Sequence, residues 1–259
     1  LNNTNRVYYK HLLEDKNAFS WKVIKKIKDS HLPEKIASII IPALNEAESI
    51  GYVISSIPME WTCEIIVVDG GSSDDTVAIA EQIGAHVIHE TRRGYSRACL
   101  SGLMYASGKV VVFLDADGAD DPRHLPELLA PILNEQADLV LGSRLAGKID
   151  KGAMQWTQWL GNFLAAAMFR LFYRLPITDL SPFRAGLRDK IITLNLQEMT
   201  YGAPTEMIAK AVRQGWKIKE IPVTYHARRG GKSKITGTWR GSILASSQIF
   251  ILILRYLRS

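Results

Sequence analysis

From Ser38 onward the chain repeats one pattern: a short apolar run, a polar cluster that stops it, then a stretch with helical spacing. Ile39, Ile40 and Ile41 stop at Pro42 in SIIIPALNE, and Ile65 to Val68 stop at Asp69 in CEIIVVDGGSSDDT. Val110 to Leu114 stop at Asp115 in KVVVFLDADGADD. Short β-branched runs with no polar alternation predict strands buried on both faces. AHVIHE and ADLVLGSR add two more. Between them AESIGYVISSI, a segment starting near Asp74, GYSRACLSGLMYAS and HLPELLAPILNEQ return apolar residues at helical intervals. Asn45 is the expected N-cap of the first helix, with Glu46 and Glu48 in its first turn, and Gly108 the expected C-cap of the third.

Alternation of this kind over residues 37–145 predicts right-handed crossovers and a mostly parallel sheet with helices on both faces. Ligands of such sheets sit outside the carboxyl ends of the strands. Asn45, Glu46, Asp69, Asp115 and Asp117 all end strands, so they are expected to rim one crevice. After residue 145 the rhythm changes. QWTQWLGNFLAAAMFRLFYRL predicts an apolar helix, TDLSPFRAGLR a turn and strand, TEMIAKAVRQG a helix capped by Gly215, and KIKEIPVTYHA a last strand. A basic loop, RRGGKSKITG, and an apolar tail with arginines at its end follow. The expected organisation is an N-terminal extension over 1–36, one α/β domain over 37–240, and a C-terminal helix over 241–259. Within the domain, 37–145 form a ligand-binding half and 146–240 a second half.

Composition narrows this picture only slightly. The 259 residues are 47% hydrophobic, enough for a sizeable core, and the net charge of +6 favours an anionic partner. Cys63 and Cys99 lack CxxC spacing and read as small core residues, which suits a reducing compartment. An opening Leu in place of Met implies a longer parent chain. Few aromatic residues interleave the basic loop, which argues against single-strand nucleic acid.

Asp115 and Asp117, two residues apart at a strand end, both reach one ligand if the chain turns there. Carboxylates in that position suit a hard divalent cation, Mg²⁺ or Mn²⁺, completed by water and phosphate oxygens. PALNE, VVDGGSSDDT and FLDAD, in that order and each at a strand end, resemble the nucleotide-binding half of a GT-A glycosyltransferase of family 2, from Ser38 to Arg144. The resemblance implies a Rossmann-like GT-A fold and a UDP- or GDP-linked sugar donor. It implies donor contacts by Pro42, Ala43, Glu46, Asp69, Gly70, Arg93, Gly94, Asp115, Ala116, Asp117 and Arg144. Asp115 and Asp117 would hold the metal, with His226 a further candidate ligand.

TDLSPFRAGLR, YGAPTEM and RRGGKSKITG resemble the branch of dolichyl- and polyprenyl-phosphate sugar synthases. That implies a lipid-phosphate acceptor, inversion, and phosphate contacts by Arg184, Arg228, Arg229, Lys232, Ser233 and Lys234. The sequence departs from that branch at Ala119, where its metal-binding Gln stands; Asp120 or Asp121 would substitute there, or water would fill the place. Asp117, Arg229, Glu206 and Asp179 are the catalytic candidates. An acceptor phosphate is already anionic at neutral pH, whereas an alcohol needs a base. A soluble hydroxyl or phosphorylated acceptor, with Glu206 as base, therefore stays open beside the lipid reading, as does a non-catalytic nucleotide-sugar-binding module. The tail and the helix around Trp156, Trp159, Phe163, Phe169 and Phe172 are expected at a membrane surface, with a homo-oligomer the alternative use of those faces. The expected setting is cytoplasmic, peripheral at the inner face of the membrane.

Overall fold

The structure, a computed structural model, describes residues 36–230 and 249–257. The expected N-terminal extension and the part of the basic loop with Lys232, Ser233 and Lys234 lie outside the described residues. Seven strands form one sheet in the order β3-β2-β1-β4-β6-β5-β7. They are β1 (Ala37–Ala43), β2 (Thr62–Asp69), β3 (His86–His89), β4 (Val110–Phe113), β5 (Leu139–Ile149), β6 (Arg184–Leu187) and β7 (Ile218–Tyr225). All pairs are parallel except those of β6, which runs against both β4 and β5. The helices are α1 (Ile50–Ser55), α2 (Thr76–Gln82), α3 (Tyr95–Tyr105), α4 (Leu125–Leu133), α5 (Trp156–Tyr173), α6 (Arg188–Thr193) and α7 (Ala203–Arg213), with α8 over residues 249–257.

The apolar runs become the buried strands. Ile39, Ile40, Ile41, Val110, Val111 and Val112 are all but inaccessible, and each buried isoleucine or valine contributes about 1.5–3 kcal/mol. The chain leaves β1 for β2 and β3 on one side, then crosses back to place β4 on the other. Strand order therefore reverses between β1 and β4, and a crevice opens beyond the strand ends at such a reversal. The register sets what lines it: Ala43 lies level with Asp69, and Phe113 level with Ile40 and with Arg184.

Two expected caps fall elsewhere. α1 starts at Ile50 with Ser49 as its N-cap residue. Asn45 instead adopts a left-handed conformation (φ 51°) and its side-chain oxygen accepts from the Ser73 amide at 2.7 Å, pinning the β1 and β2 exits together. α3 ends at Tyr105 with Ala106 as C-cap. Gly108 is used for space rather than for a left-handed turn, since a Cβ there would press on the Ser38 backbone. Gly215, by contrast, has φ 70° just beyond α7, as a helix-ending glycine should. α8 packs one face inward, burying Leu252 and Ile253, while Tyr173 donates its hydroxyl to the Ile253 carbonyl. Among the described residues no helix is long and apolar enough to cross a membrane.

Candidate active site

Every strand that ends at the crevice delivers an acid to it. After β1, Glu46 is buried, with its amide bonded to Thr76 Oγ1 at 2.8 Å. At the end of β2, the Asp69 carboxylate accepts from the amides of Gly71 and Ser72, both at 3.1 Å, with His89 Nδ1 at 3.4 Å. Burial pushes its pKa up, but these bonds outweigh burial and hold it below the ordinary carboxylate value. Asp69 is thus a fixed anion, and Gly71 at φ 90° is the turn residue that lets both amides face it.

Beyond β4 the backbone turns at Ala116 and presents Asp115 and Asp117. The Tyr95 hydroxyl donates to Asp115 Oδ1 at 2.8 Å. Burial and then the neighbouring Asp117 charge raise the Asp115 pKa to about 6. Asp117 Oδ1 accepts from the Ala119 amide at 2.9 Å, and Oδ2 meets Arg228 Nη2 at 2.8 Å. Arg228 Nη1 reaches Glu46 Oε1 at 3.1 Å, so one guanidinium ties the β1 exit to the β4 exit. The Arg229 guanidinium lies over the Tyr52 ring, 3.3 Å from its centroid, and its amide donates to the Asp117 carbonyl at 3.1 Å. The start of the basic loop therefore lies across the acidic strand tip.

A second layer supports this one. The Arg144 guanidinium donates to Asp179 through two bonds of 2.8 Å, its backbone amide donates a third to the same carboxylate at 2.9 Å, and the guanidinium stacks on Tyr225 at 5.1 Å. Arg144 and Asp179 are both buried. Asp120 is 1% exposed and its Oδ1 has no hydrogen-bond partner. Burial, with the charges of Asp115 and Asp117 added, drives its pKa well up against the pull of Arg144. Pro42 and Ala43 line the β1 exit, Gly70 donates its amide to the Ala43 carbonyl at 2.9 Å, and Ala116 is buried. Arg93 is exposed, and Gly94 at φ 139° passes so near the Met199 carbonyl that a Cβ would collide with it.

Two expectations need correction. Arg184 does not face a phosphate: it is 1% exposed, and its guanidinium donates to the carbonyls of Leu180, Ser181, Pro182 and Pro204. Burial lowers its pKa to about 10, which still leaves it charged at neutral pH. Glu206 is not placed as a base. It is 0% exposed and accepts from the amides of Gln197 and Glu198, from Tyr256 Oη at 2.7 Å, and pairs with Lys210 at 2.7 Å. Glu206 thereby joins α7 to α8. Glu206→Gln is expected to lower the melting temperature while leaving kcat, measured well below that temperature, within about threefold of wild type; a thousandfold fall would restore the base. His226 is held by carboxylates on both ring nitrogens, Asp150 at 2.7 Å and Asp121 at 3.4 Å, and its amide donates to the Ala119 carbonyl at 2.7 Å.

Sequence reading missed Tyr95 and Tyr52, and it did not foresee that Asp120 would be buried with an oxygen lacking a partner. Tyr95 directly follows Arg93-Gly94, and that adjacency was the available signal. The donor set at the β4 exit suits a hard cation: all oxygen, crowded with like charge, and with one buried carboxylate oxygen lacking a partner. Among the described residues no three His, Cys, Asp or Glu side chains close a cage around an ion. Two carboxylates would then leave several positions to water and a diphosphate.

A mostly parallel sheet with its order reversed between β1 and β4, and acids at three strand tips there, is the arrangement of a glycosyltransferase of the GT-A type. The chain belongs to Glycosyl transferase family 2, whose sequence profile matches residues 38–193. An uncharacterized glycosyltransferase of Mycobacterium tuberculosis is 37% identical over 80% of this chain and 93% of its own length. The undecaprenyl-phosphate mannosyltransferase of Micrococcus luteus is 31% identical over 76% of this chain and 86% of its own. Among solved structures, glucosyl-3-phosphoglycerate synthase of Mycobacterium tuberculosis, crystallised with Mn²⁺, UDP-glucose and phosphoglyceric acid, superposes with a TM-score of 0.69. It is 26% identical, covering 86% of this chain and 80% of that one. The protein is accordingly a hexosyltransferase.

Proposed function

We propose that the protein transfers a hexose from a UDP- or GDP-linked sugar to a polyprenyl-phosphate-like acceptor, with inversion, working at the cytoplasmic face of a membrane. The observation that carries this reading is the placement of Arg228 and Arg229 across the Asp117 strand tip. Cations laid on acids are what a reaction between two phosphorylated molecules requires, since both partners arrive as anions. Arg228 offers a forked donor to a diphosphate or an acceptor phosphate, and Arg229 is steadied by the Tyr52 face. Glu46, whose carboxylate accepts from Ser49 and Arg228, and Asp69 suit the ribose and base side of the donor, as fixed acceptors at the β1 and β2 exits.

Asp115 and Asp117 would hold Mg²⁺ or Mn²⁺. When bound, the ion would offset the charge of the departing nucleoside diphosphate. Tyr95 orients the Asp115 carboxylate, and Arg144, held by Asp179, supplies fixed positive charge beneath the tip. No base is needed for a phosphate nucleophile, which agrees with Glu206 serving the α7–α8 contact. Because Asp115 must lose its proton to bind a cation, Mn²⁺ affinity is expected to rise with pH up to about pH 6 and level off above it. Isothermal titration between pH 5 and pH 8 measures this; a flat profile would remove Asp115 from the ligand set.

A soluble phosphorylated acceptor is the second reading, favoured by the phosphoglyceric acid bound in the synthase of similar structure. Both acceptors present a phosphate to the same cations. A panel of UDP- and GDP-sugars, assayed with Mn²⁺ against detergent-solubilised undecaprenyl phosphate and against 3-phosphoglycerate, separates them. Product on the lipid phosphate alone supports the first reading, and product on phosphoglycerate alone overturns it.

A further inference from the structure

α5 presents an unusual outer face. Trp156, Trp159, Leu160, Phe163, Leu164 and Leu171 recur three, four or seven residues apart, so they share one stripe, and all are exposed, Trp156 by 74% and Leu171 by 73%. The Trp159 and Phe163 rings stack in the open, with centroids 5.5 Å apart and planes within 6°. The inner face is conventional: Ala165, Ala166 and Phe169 are buried in the core. Near its C-terminal end the stripe widens into a wholly apolar groove between Leu164, Ala167, Met168 and Leu171 on one side and Phe250 of α8 on the other. Ile251, Leu254 and Leu257 continue the exposed apolar surface along α8.

Charge says what this face meets. α5 carries no acidic residue at all. Its basic residue Arg170 and the following Arg174 are exposed and form no ion pair among the described residues. Apolar and aromatic side chains edged by unpaired arginines suit the boundary of an anionic bilayer, where the rings sit at headgroup depth and the guanidinium groups meet lipid phosphates. A face built for a second copy of the chain gains nothing from unpaired like charges. A short stretch of chain links the start of the stripe to the catalytic crevice. Asp150, six residues before Trp156, holds His226, which is two residues before Arg228. From there α5 extends for about 27 Å.

We infer that the α5 stripe, with the groove it shares with α8, docks the enzyme on an anionic lipid bilayer with the crevice at headgroup level. This gives a physical setting to the lipid-phosphate reading proposed above, on which its purpose rests, but binding itself is measured without donor or acceptor. The test is co-sedimentation of the full chain with vesicles of phosphatidylglycerol and phosphatidylcholine, or of phosphatidylcholine alone. Wild type is expected to partition onto the anionic vesicles. Trp156→Ser with Trp159→Ser is expected to weaken that partition at least about tenfold. Arg170→Gln with Arg174→Gln is expected to remove the preference for phosphatidylglycerol, by about fivefold for each arginine. Both variants should melt with wild type, since the altered side chains are exposed.

Wild type remaining in the supernatant, or the tryptophan variant sedimenting as wild type does, would overturn the inference. A dimer in ultracentrifugation that the tryptophan variant dissociates, without vesicle binding, would assign the face to a second copy. Failure of the acceptor reading looks different: vesicle binding intact, and no transfer to polyprenyl phosphate.

Discussion

Asp117→Asn is expected to lower kcat for sugar transfer about a thousandfold while leaving the melting temperature near that of wild type. The carboxylate at this position has one oxygen bonded to the Ala119 amide and the other facing Arg228. An asparagine can keep the amide contact through its carbonyl oxygen, so the turn survives. It cannot supply the second anionic oxygen that a divalent cation requires. The loss therefore falls on the transition state, where the diphosphate gathers charge. Steady-state kinetics with Mn²⁺, paired with a thermal melt, check the prediction. Turnover within tenfold of wild type would mean that Asp117 holds no cation during the reaction.

Arg144→Met is expected to destabilise the fold by about 3–5 kcal/mol, because it leaves the Asp179 carboxylate buried without its countercharge. Asp179 is held below the ordinary carboxylate value despite its burial, chiefly through the charge and hydrogen bonds of Arg144. The sign follows from that direction. Its contribution is present above the unfolded value, about pH 4, and is lost as pH falls through the lowered native value. Urea denaturation at pH 7 and at pH 3, below the unfolded value, should show the variant closest to wild type in acid. The double change Arg144→Met with Asp179→Leu should recover much of the stability, since paired removal costs far less than orphaning one charge. It should not recover activity, because Arg144 also stands against Tyr225 and beneath the acids of the β4 exit. A double variant with normal kcat would reduce the pair to a structural role.

How far the sequence could be read is clear from particular residues. Strand runs such as Ile39–Ile41 and Val110–Leu114 were legible because both faces of a parallel sheet are covered, which leaves no polar alternation to interpret. The acids that stop them were legible because a charge cannot continue such a run. Burial of an individual charged residue was not legible. Arg184 and Arg228 look alike in sequence, yet one is enclosed by four carbonyls, including that of Pro204, twenty residues along the chain. The other bridges Glu46 and Asp117 across 182 residues of sequence in the first case. Glu206 shows the same limit, since a helix-start carboxylate meant for catalysis and one meant to bind Tyr256 of α8 have the same neighbours in sequence. Asn45 misled for a local reason: its short amide side chain suits a left-handed bridge as well as a helix cap.

The central claim, that the acids beyond β4 grip a cation together with a nucleoside diphosphate, is tested most directly by electron paramagnetic resonance of Mn²⁺. Added wild-type protein and UDP or GDP should remove the free-ion signal in equimolar proportion, and Asp117→Asn should leave that signal as it is with nucleotide alone. Equal loss of signal with both proteins, or none with either nucleotide, would contradict the account.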